Sequence, residues 1–151
     1  MKTKIKIIFL DIDGVLNSHR SAYAYHSCKL DPVAIELINA LVEETGALVV
    51  ISSTWRGQGC DDSKLEILEE IPGLKLHPDW FTPWIDVMKR GPEIQSWLDS
   101  HDEVIYVIID DDDDGSHPEH QLENLIKVIP EYGLSHYDYE KAVGILKKKE
   151  K

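Results

Sequence analysis

Residues 5–16 have the sequence IKIIFLDIDGVL, and this stretch decides the expected fold. Its first half, Ile5 to Leu10, is rich in β-branched and aromatic side chains and predicts a buried β-strand. The strand ends directly at Asp11, and a second acid, Asp13, follows two residues later. A buried strand that leads into closely spaced carboxylates is typical of a sheet whose carboxyl end binds a ligand.

Helices and further strands alternate along the rest of the chain. Asp31 and Pro32 predict a helix start, because Asp caps the first turn and proline fits the first helical position. Apolar spacing and turn residues predict strands at 47–51, 74–76, 104–109 and 125–129, helices at 31–46, 63–71, 137–147 and from Gly91 onward, and a loop at 77–89. The alternation predicts a single α/β domain over residues 1–151, with a mostly parallel sheet.

The chain is strongly acidic. Its 151 residues include 28 acidic and 16 basic ones, which give a formal net charge of −12. A general nucleic-acid binder needs Lys and Arg to displace phosphate counterions, so this charge argues against an extended nucleic-acid footprint. A local basic pocket for one phosphate remains compatible with it.

Cysteine content and hydropathy indicate the compartment. Cys28 and Cys60 are too few for a disulfide framework, which favours a reducing environment. The apolar run after the basic N-terminal residues, Ile7 to Leu10, is too short for a secretory signal, and no stretch approaches the length of a membrane span. We therefore expect a cytoplasmic protein without membrane association.

Polar residues follow three predicted strands at the point where each ends: Asp11 and Asp13, Ser52, and the pair Asp110 and Asp111. Because the carboxyl ends of parallel strands share one edge of a sheet, we expect these side chains to converge. Clustered carboxylates are costly without a counter-charge, and Mg²⁺ prefers oxygen ligands. The sequence therefore predicts a Mg²⁺ site at this edge.

The same residues resemble the four motifs of the haloacid dehalogenase (HAD) superfamily. These are DxDG after the first strand (residues 11–14), a Ser closing the next strand (Ser52), a Lys or Arg near a helix start (Arg90 or Lys89), and an acidic pair after an apolar strand (Asp110 and Asp111). The strings FLDIDGVLNS, ISSTWR, RGPEIQSWL and YVIIDDD are similar to the capless HAD domain of Swiss Army Knife RNA-repair proteins. The resemblance implies a Rossmann-like three-layer sandwich without a large cap domain.

The resemblance also implies chemical roles. Asp11 would attack phosphorus and form an aspartyl-phosphate, and Asp13 would act as general acid and base. Ser52 would donate to a phosphoryl oxygen, and Arg90, with Lys89 as the competing choice, would balance the charge of nucleophile and phosphate. Mg²⁺ would be bound by Asp11, the backbone carbonyl of Asp13 and Asp110, with Asp111 bound directly or through water.

Other residues near these motifs have two interpretations each. Arg56 could bind phosphate or substrate, or form a surface salt bridge, and Ser53 could bind substrate or cap a turn. The aromatic residues of the loop 77–89 could stack on a base or pack over the sheet edge: Trp80, Phe81 and Trp84. Arg20, in the loop after the first motif, is a weaker candidate for substrate binding.

The acidic run from Asp110 to Asp114 begins like a calcium loop, D-x-D-x-D-G. Its twelfth position is Gln121 instead of the required Glu, and a strand precedes it, so an EF-hand is excluded. Asp112 to Asp114 are expected to be solvated or to lie outside the metal's direct ligands. His117 and His120 have no third ligand at a suitable spacing, which predicts a solvated loop.

The predicted function is Mg²⁺-dependent hydrolysis of a phosphomonoester, carried by a phosphorylated small molecule, a nucleotide or a nucleic-acid end. In the superfamily, an open site without a cap commonly goes with macromolecular substrates or with oligomers that supply the lid. One alternative is a receiver-like signalling domain, but its acidic pair should follow the first strand and its phospho-acceptor a later one, whereas here the DxDG motif comes first. The other is a non-catalytic phosphate- or metal-binding module, which the complete motif set disfavours.

Overall fold

The structure, a computed structural model, describes residues 3–25, 29–85, 89–112 and 115–148. Its five strands are β1 (Lys6–Leu10), β2 (Leu48–Ile51), β3 (Leu76–Phe81), β4 (Ile105–Asp110) and β5 (Leu125–Lys127). They form one parallel sheet in the order β3-β2-β1-β4-β5. The predicted α/β fold with a mostly parallel sheet is confirmed, and β1 lies at its centre.

Helices cover both faces of this sheet: α1 (His19–Tyr25), α2 (Pro32–Thr45), α3 (Asp61–Glu70), α4 (Arg90–Asp99), α5 (Glu119–Leu122) and α6 (His136–Lys148). Alternate residues of β1 face opposite layers, as the pleat of a strand requires. Ile8 and Leu10 belong to a core cluster that includes residues of α2, α3 and α6, whereas Ile7 and Phe9 pack against α4. The result is the expected three-layer, Rossmann-like sandwich.

The start and end of α2 follow from its sequence. The Asp31 carboxylate accepts a hydrogen bond from the Val33 amide at 2.9 Å, and Pro32 occupies the first helical position. At the other end, Gly46 adopts a φ of 73° and its N–H donates to the Val42 carbonyl. Glycine reaches this left-handed conformation without strain, so the predicted helix ends there.

The prediction of a loop at residues 77–89 is partly wrong. Residues 76–81 form the edge strand β3, and the predicted strand at 74–76 overlaps it only at Leu76. The segment contains a proline and lacks alternating polarity, which hid the strand. An edge position tolerates Pro78 because one side of the strand needs no hydrogen-bond donor. Trp80 is buried there, in agreement with the packing interpretation.

Two short helices, α1 and α5, were also not predicted, because seven and four residues are too few to show helical periodicity. In the described ranges, the chain between β1 and β2 forms α1 and α2. Between β2 and α4 it forms a 3₁₀ turn at Thr54–Arg56, then α3 and β3. Neither connection contains a separate cap domain within these ranges.

Among the described residues, no helix combines the length and the apolar character needed to cross a bilayer. Cys60 is exposed, and Cys28 lies outside the described residues.

Candidate active site

Three carboxylates meet where β1 and β4 end. Asp11 follows β1, and its N–H donates to the Ile109 carbonyl of β4 at 3.0 Å. Asp110 closes β4, and Asp111 follows it. One oxygen of each of these three carboxylates lies within 4.8 Å of the others. The adjacent parallel strands thus bring together the acids that the sequence placed at their ends.

Burial makes this cluster electrostatically unfavourable on its own. Burial raises the pKa of Asp11 to about 7, and the Asp111 carboxylate adds to the rise, while the Arg90 guanidinium opposes it. Burial likewise raises the pKa of Asp110 to about 8, with a further contribution from Asp11. A divalent cation between the carboxylates would offset this repulsion.

Three buried oxygen atoms in or near the cluster have no hydrogen-bond partner among the described residues: Oδ2 of Asp110, Oγ of Ser52 and Oδ1 of Asp112. Buried polar atoms in proteins are almost always paired, so unpaired ones indicate a place for a ligand. A carboxylate oxygen suits a hard cation, and a hydroxyl suits a phosphoryl oxygen. The donor set therefore fits Mg²⁺ together with a phosphate.

Asp13 lies outside the three-carboxylate cluster and is exposed to solvent. The Asn17 side-chain amide donates to its Oδ1 at 2.9 Å, and the Trp55 indole N–H donates to its Oδ2 at 3.2 Å. Both oxygens are thus held by donors from different elements. Trp55 and Asn17 are site residues that the sequence analysis missed, since no metal or phosphate motif requires them.

Gly14 is the position that lets the first and fourth motifs approach each other. Its φ is 84°, and a Cβ atom built there would lie 2.5 Å from Oδ2 of Asp111. Any side chain would displace that carboxylate, and the left-handed backbone would also be strained. Glycine after Asp13 is therefore a steric requirement of the site.

Ser52 and Ser53 follow β2 and are fully buried. The Ser52 N–H donates to the Leu10 carbonyl of β1 at 3.0 Å, which places Ser52 next to the first motif. The Ser53 hydroxyl accepts from the Trp55 N–H at 3.2 Å and caps the short 3₁₀ turn. Of the two interpretations of Ser53, the structure shows the cap.

Arg56 is completely buried. Its Nη1 donates to the Ser52 and Ser53 carbonyls at 2.8 and 2.9 Å, and its Nη2 donates to the Glu93 carboxylate at 3.0 Å. The guanidinium also lies 3.6 Å from the centre of the Trp84 ring. Burial lowers its pKa to about 10, and Glu93 opposes this shift, so Arg56 is charged at neutral pH. Its ion pair is thus internal, and its contacts hold the turn after β2.

The two candidate cations of the third motif occupy different environments. Arg90 begins α4, its side chain is 17% exposed, and its Nη1 lies 3.3 Å from Oε1 of Glu93. It is close enough to Asp11 for its charge to lower the pKa of that carboxyl. Lys89 precedes α4 and is exposed. The geometry favours Arg90 over Lys89 as the cation beside Asp11.

The expectation of a solvated loop around His117 is wrong. His117 is buried, with Nδ1 3.0 Å from Oε1 of Gln121 and Nε2 3.9 Å from Oδ2 of Asp110. Gln121 in turn donates to the Gly91 carbonyl at 3.0 Å, at the start of α4. The segment after β4 thus contacts both the start of α4, where the third motif lies, and the fourth motif. His120 is exposed, as predicted.

Asp112, the third residue of the acidic run, contacts Asp110 and His117. The Asp112 N–H donates to Oδ1 of Asp110 at 2.7 Å, and Oδ1 of Asp112 lies 3.7 Å from Nε2 of His117. Its side chain is 14% exposed, so Asp112 is not freely solvated. Asp113 and Asp114 lie outside the described residues.

The chain matches a protein-family model. This family is the HAD domain in Swiss Army Knife RNA repair proteins, and the match covers residues 7–139, which include all four motifs. No curated protein and no solved structure matches the chain.

Proposed function

Because the chain belongs to the family of HAD domains in Swiss Army Knife RNA repair proteins, we propose that it is a Mg²⁺-dependent phosphatase that hydrolyses phosphomonoesters. The family supports a phosphohydrolase-type function. The observation that carries the proposal is the cluster of Asp11, Asp110 and Asp111 beside the unpaired oxygens of Asp110 and Ser52. Such a site combines cation ligands with a donor for a phosphoryl group.

The proposed reaction has two steps on Asp11. In the first, a carboxylate oxygen of Asp11 bonds to phosphorus, the bond to the leaving oxygen breaks, and Asp13 gives that oxygen a proton. In the second, Asp13 takes a proton from water, and the water oxygen attacks phosphorus. The bond to Asp11 breaks, and inorganic phosphate leaves.

The remaining groups stabilise the phosphoryl group and its approach. Ser52 donates its hydroxyl proton to a phosphoryl oxygen, and Arg90 balances the negative charge near Asp11. Arg56 and Ser53 act as positioning residues, because both are buried and hold the turn that follows β2. Lys89 is exposed beside Arg90 and is assigned to binding the outer part of the substrate.

Mg²⁺ would be held by Asp11, the backbone carbonyl of Asp13 and Asp110, with Asp111 as a direct or water-mediated ligand. When bound, it lets an anionic nucleophile and an anionic phosphate come together. The substrate is a phosphorylated small molecule, a nucleotide or a nucleic-acid end, and the protein acts in the cytoplasm. No extended nucleic-acid footprint is proposed, given the net charge of −12.

The proposal predicts divalent-metal-dependent release of phosphate from p-nitrophenyl phosphate, nucleotides or phosphorylated oligonucleotides. We expect Asp11→Asn to lower kcat by at least about a thousandfold, since the variant lacks the attacking oxyanion. Asp99→Asn, the same substitution at the far end of α4, is the matched control and should retain full activity. Activity that survives in Asp11→Asn, or that persists after metal removal, would contradict the proposed mechanism.

A further inference from the structure

A cavity of about 330 Å³ opens next to the proposed general acid. Its lining includes the two acids Asp13 and Asp111. The other lining residues are Gly14, Asn17, Ser18, His19, Ala22 and Pro130. The proposed function uses Asp13 and Asp111 but assigns nothing to the space beyond them.

The walls of this cavity are tied together by backbone hydrogen bonds. At the start of α1, the N–H groups of His19 and Arg20 donate to the carbonyls of Pro130 and Glu131 at 3.1 and 3.0 Å. The backbone N–H of Ser18 donates to the Ser21 hydroxyl, and that of Ser21 donates to the Ser18 hydroxyl, each at 2.9 Å. The cavity is therefore formed before any ligand binds, as ligand sites usually are.

The cavity offers no counter-charge to a second anion. Among the described residues, no Lys or Arg side chain lines it, and its two acids, Asp13 and Asp111, already have roles in the proposed catalytic and metal site. The first N–H groups of α1 are already bonded to carbonyls and are not available to a phosphate. The Asn17 amide bonds Gly14 and Asp13, so Ser18 and His19 are the lining side chains that suit the hydroxyls and ring nitrogens of a ligand.

We infer that this cavity binds the leaving group of the substrate and selects an uncharged, sugar- or nucleoside-sized alcohol over one that carries a second phosphate. The inference rests on the proposed function, because a general acid at Asp13 must contact the leaving oxygen. The atoms attached to that oxygen then lie on the Asp13 side of the site, where the cavity is. Its volume is at the small end of ligand pockets, which suits one sugar or nucleoside.

Of the candidate substrates, a nucleic-acid end fits this cavity least. A nucleic-acid end carries further phosphates close to the one removed, and these would find no cationic lining residue in the cavity of a chain with a net charge of −12. The leaving group of a neutral alcohol's monophosphate needs no such cation. The site is therefore assigned to small monophosphates and not to polynucleotide ends.

The first test compares substrates of increasing charge and size. The panel is acetyl phosphate, ribose 5-phosphate, adenosine 3′- and 5′-monophosphate, adenosine 3′,5′-bisphosphate and a 3′-phosphorylated oligonucleotide. We expect kcat/KM for the best monophosphate of the panel to exceed that for the bisphosphate and the oligonucleotide by at least about tenfold, with the ratio falling as salt rises. Equal or faster hydrolysis of the bisphosphate or the oligonucleotide would overturn the inference. So would hydrolysis of acetyl phosphate alone, whereas no hydrolysis of any compound would overturn the proposed function itself.

The second test fills the cavity from α1. Ala22→Phe should lower kcat/KM for the best sugar or nucleoside monophosphate about tenfold or more, while acetyl phosphate, whose leaving group is small, keeps its rate. Ala24→Phe, on the same helix but exposed and outside the cavity, should change neither. Retained acetyl phosphate activity shows that the variant is folded. An equal loss for both substrates would contradict the assignment of the cavity.

The third test changes the charge of the cavity. His19→Lys should raise kcat/KM for the bisphosphate relative to the monophosphate several-fold, because it places a cation among the lining residues. Ala24→Lys adds a Lys to the exposed surface of the same helix and should leave the ratio unchanged. If both variants change the ratio equally, the selectivity comes from the overall charge and the cavity has no part in it.

Discussion

Asp13 is the residue whose exact position matters most for the proposed proton transfers, and two donors determine it. The Trp55 indole N–H and the Asn17 amide each bind one of its oxygens, at 3.2 and 2.9 Å. Because the carboxylate is exposed, packing alone does not hold it. These two hydrogen bonds therefore set the direction from which Asp13 can protonate a leaving oxygen.

Trp55→Phe tests this role, since it removes the N–H and keeps most of the ring. We expect kcat to fall about tenfold for an alkyl monophosphate, because the alkoxide needs a well-placed acid. With p-nitrophenyl phosphate the loss should be below about threefold, since p-nitrophenolate leaves without much protonation. Steady-state kinetics measures kcat for both substrates, and the ratio of the two kcat values in the variant is compared with that in the wild type.

Trp84→Phe is the matched control, because the Trp84 indole N–H donates to the Gly57 carbonyl and not to Asp13. It should leave the ratio of the two rates unchanged. If Trp55→Phe slows both substrates equally, Trp55 supports the fold of the site and does not position the acid.

At the residue scale, the sequence predicts those site residues whose place depends on strand ends. The approach of Asp11, Asp110 and Asp111 follows from the parallel sheet, since each acid ends or follows a strand. His117 and Trp55 could not be predicted in this way. Their positions depend on how short irregular segments pack, and such segments have no periodicity.

At the element scale, α4 is joined to the turn after β2 by a buried ion pair. Oε1 of Glu93 lies 3.0 Å from Nη2 of Arg56 and 3.3 Å from Nη1 of Arg90, and Glu93 is fully buried. One carboxylate thus fixes both the turn after the second motif and the cation of the third. A buried pair of this kind is costly to break from one side, because the remaining charge is left without a partner.

We expect Glu93→Gln to lower the free energy of unfolding by about 3 kcal/mol, because Arg56 would stay buried without a counter-charge. Urea unfolding measures this loss. Glu103→Gln is the control: Glu103 pairs with Lys4 at 2.9 Å, but its side chain is 79% exposed, so stability should hardly change. A similar small effect for both variants would show that the Arg56–Glu93 pair is not a main contact between α4 and the turn.

Elements with a clear apolar pattern or end signals were predictable, and so was the edge strand β5, whereas the edge strand β3 was not. Apart from Lys6 and Asp110 at their ends, the central strands β1, β2 and β4 consist of apolar and aromatic residues, as strands covered on both faces do, and α2 has both of its predicted end signals. The strand β3 lies at the sheet edge, where its His, Pro and Asp residues remain compatible with pairing on one side only. Its existence depends on the neighbour β2, which local sequence does not encode.

At the scale of the whole molecule, part of the net charge of −12 is concentrated at one edge of the sheet. The pKa of Asp11 is about 7 and that of Asp110 about 8 in the folded chain, against an ordinary value of 3.8. An acid whose pKa is raised on folding binds its proton more tightly in the folded state. Its contribution to the free energy of unfolding therefore decreases as the pH rises from about 4 to about 8.

The metal-free protein should consequently be less stable near pH 8 than near pH 5, and Mg²⁺ should remove most of this difference by neutralising the deprotonated acids. Asp110→Asn isolates the effect from other titrating groups, since it deletes one of the crowded charges. We expect this variant to be about 1–2 kcal/mol more stable than the wild type without metal near pH 8, and to gain much less from Mg²⁺. Urea unfolding measures the free energy of unfolding of both proteins at pH 5 and at pH 8, with chelator and with Mg²⁺. A wild-type protein that becomes more stable between pH 5 and pH 8 without metal, while Asp110→Asn does not, would reverse the sign of this argument and contradict a buried carboxylate cluster that requires a cation.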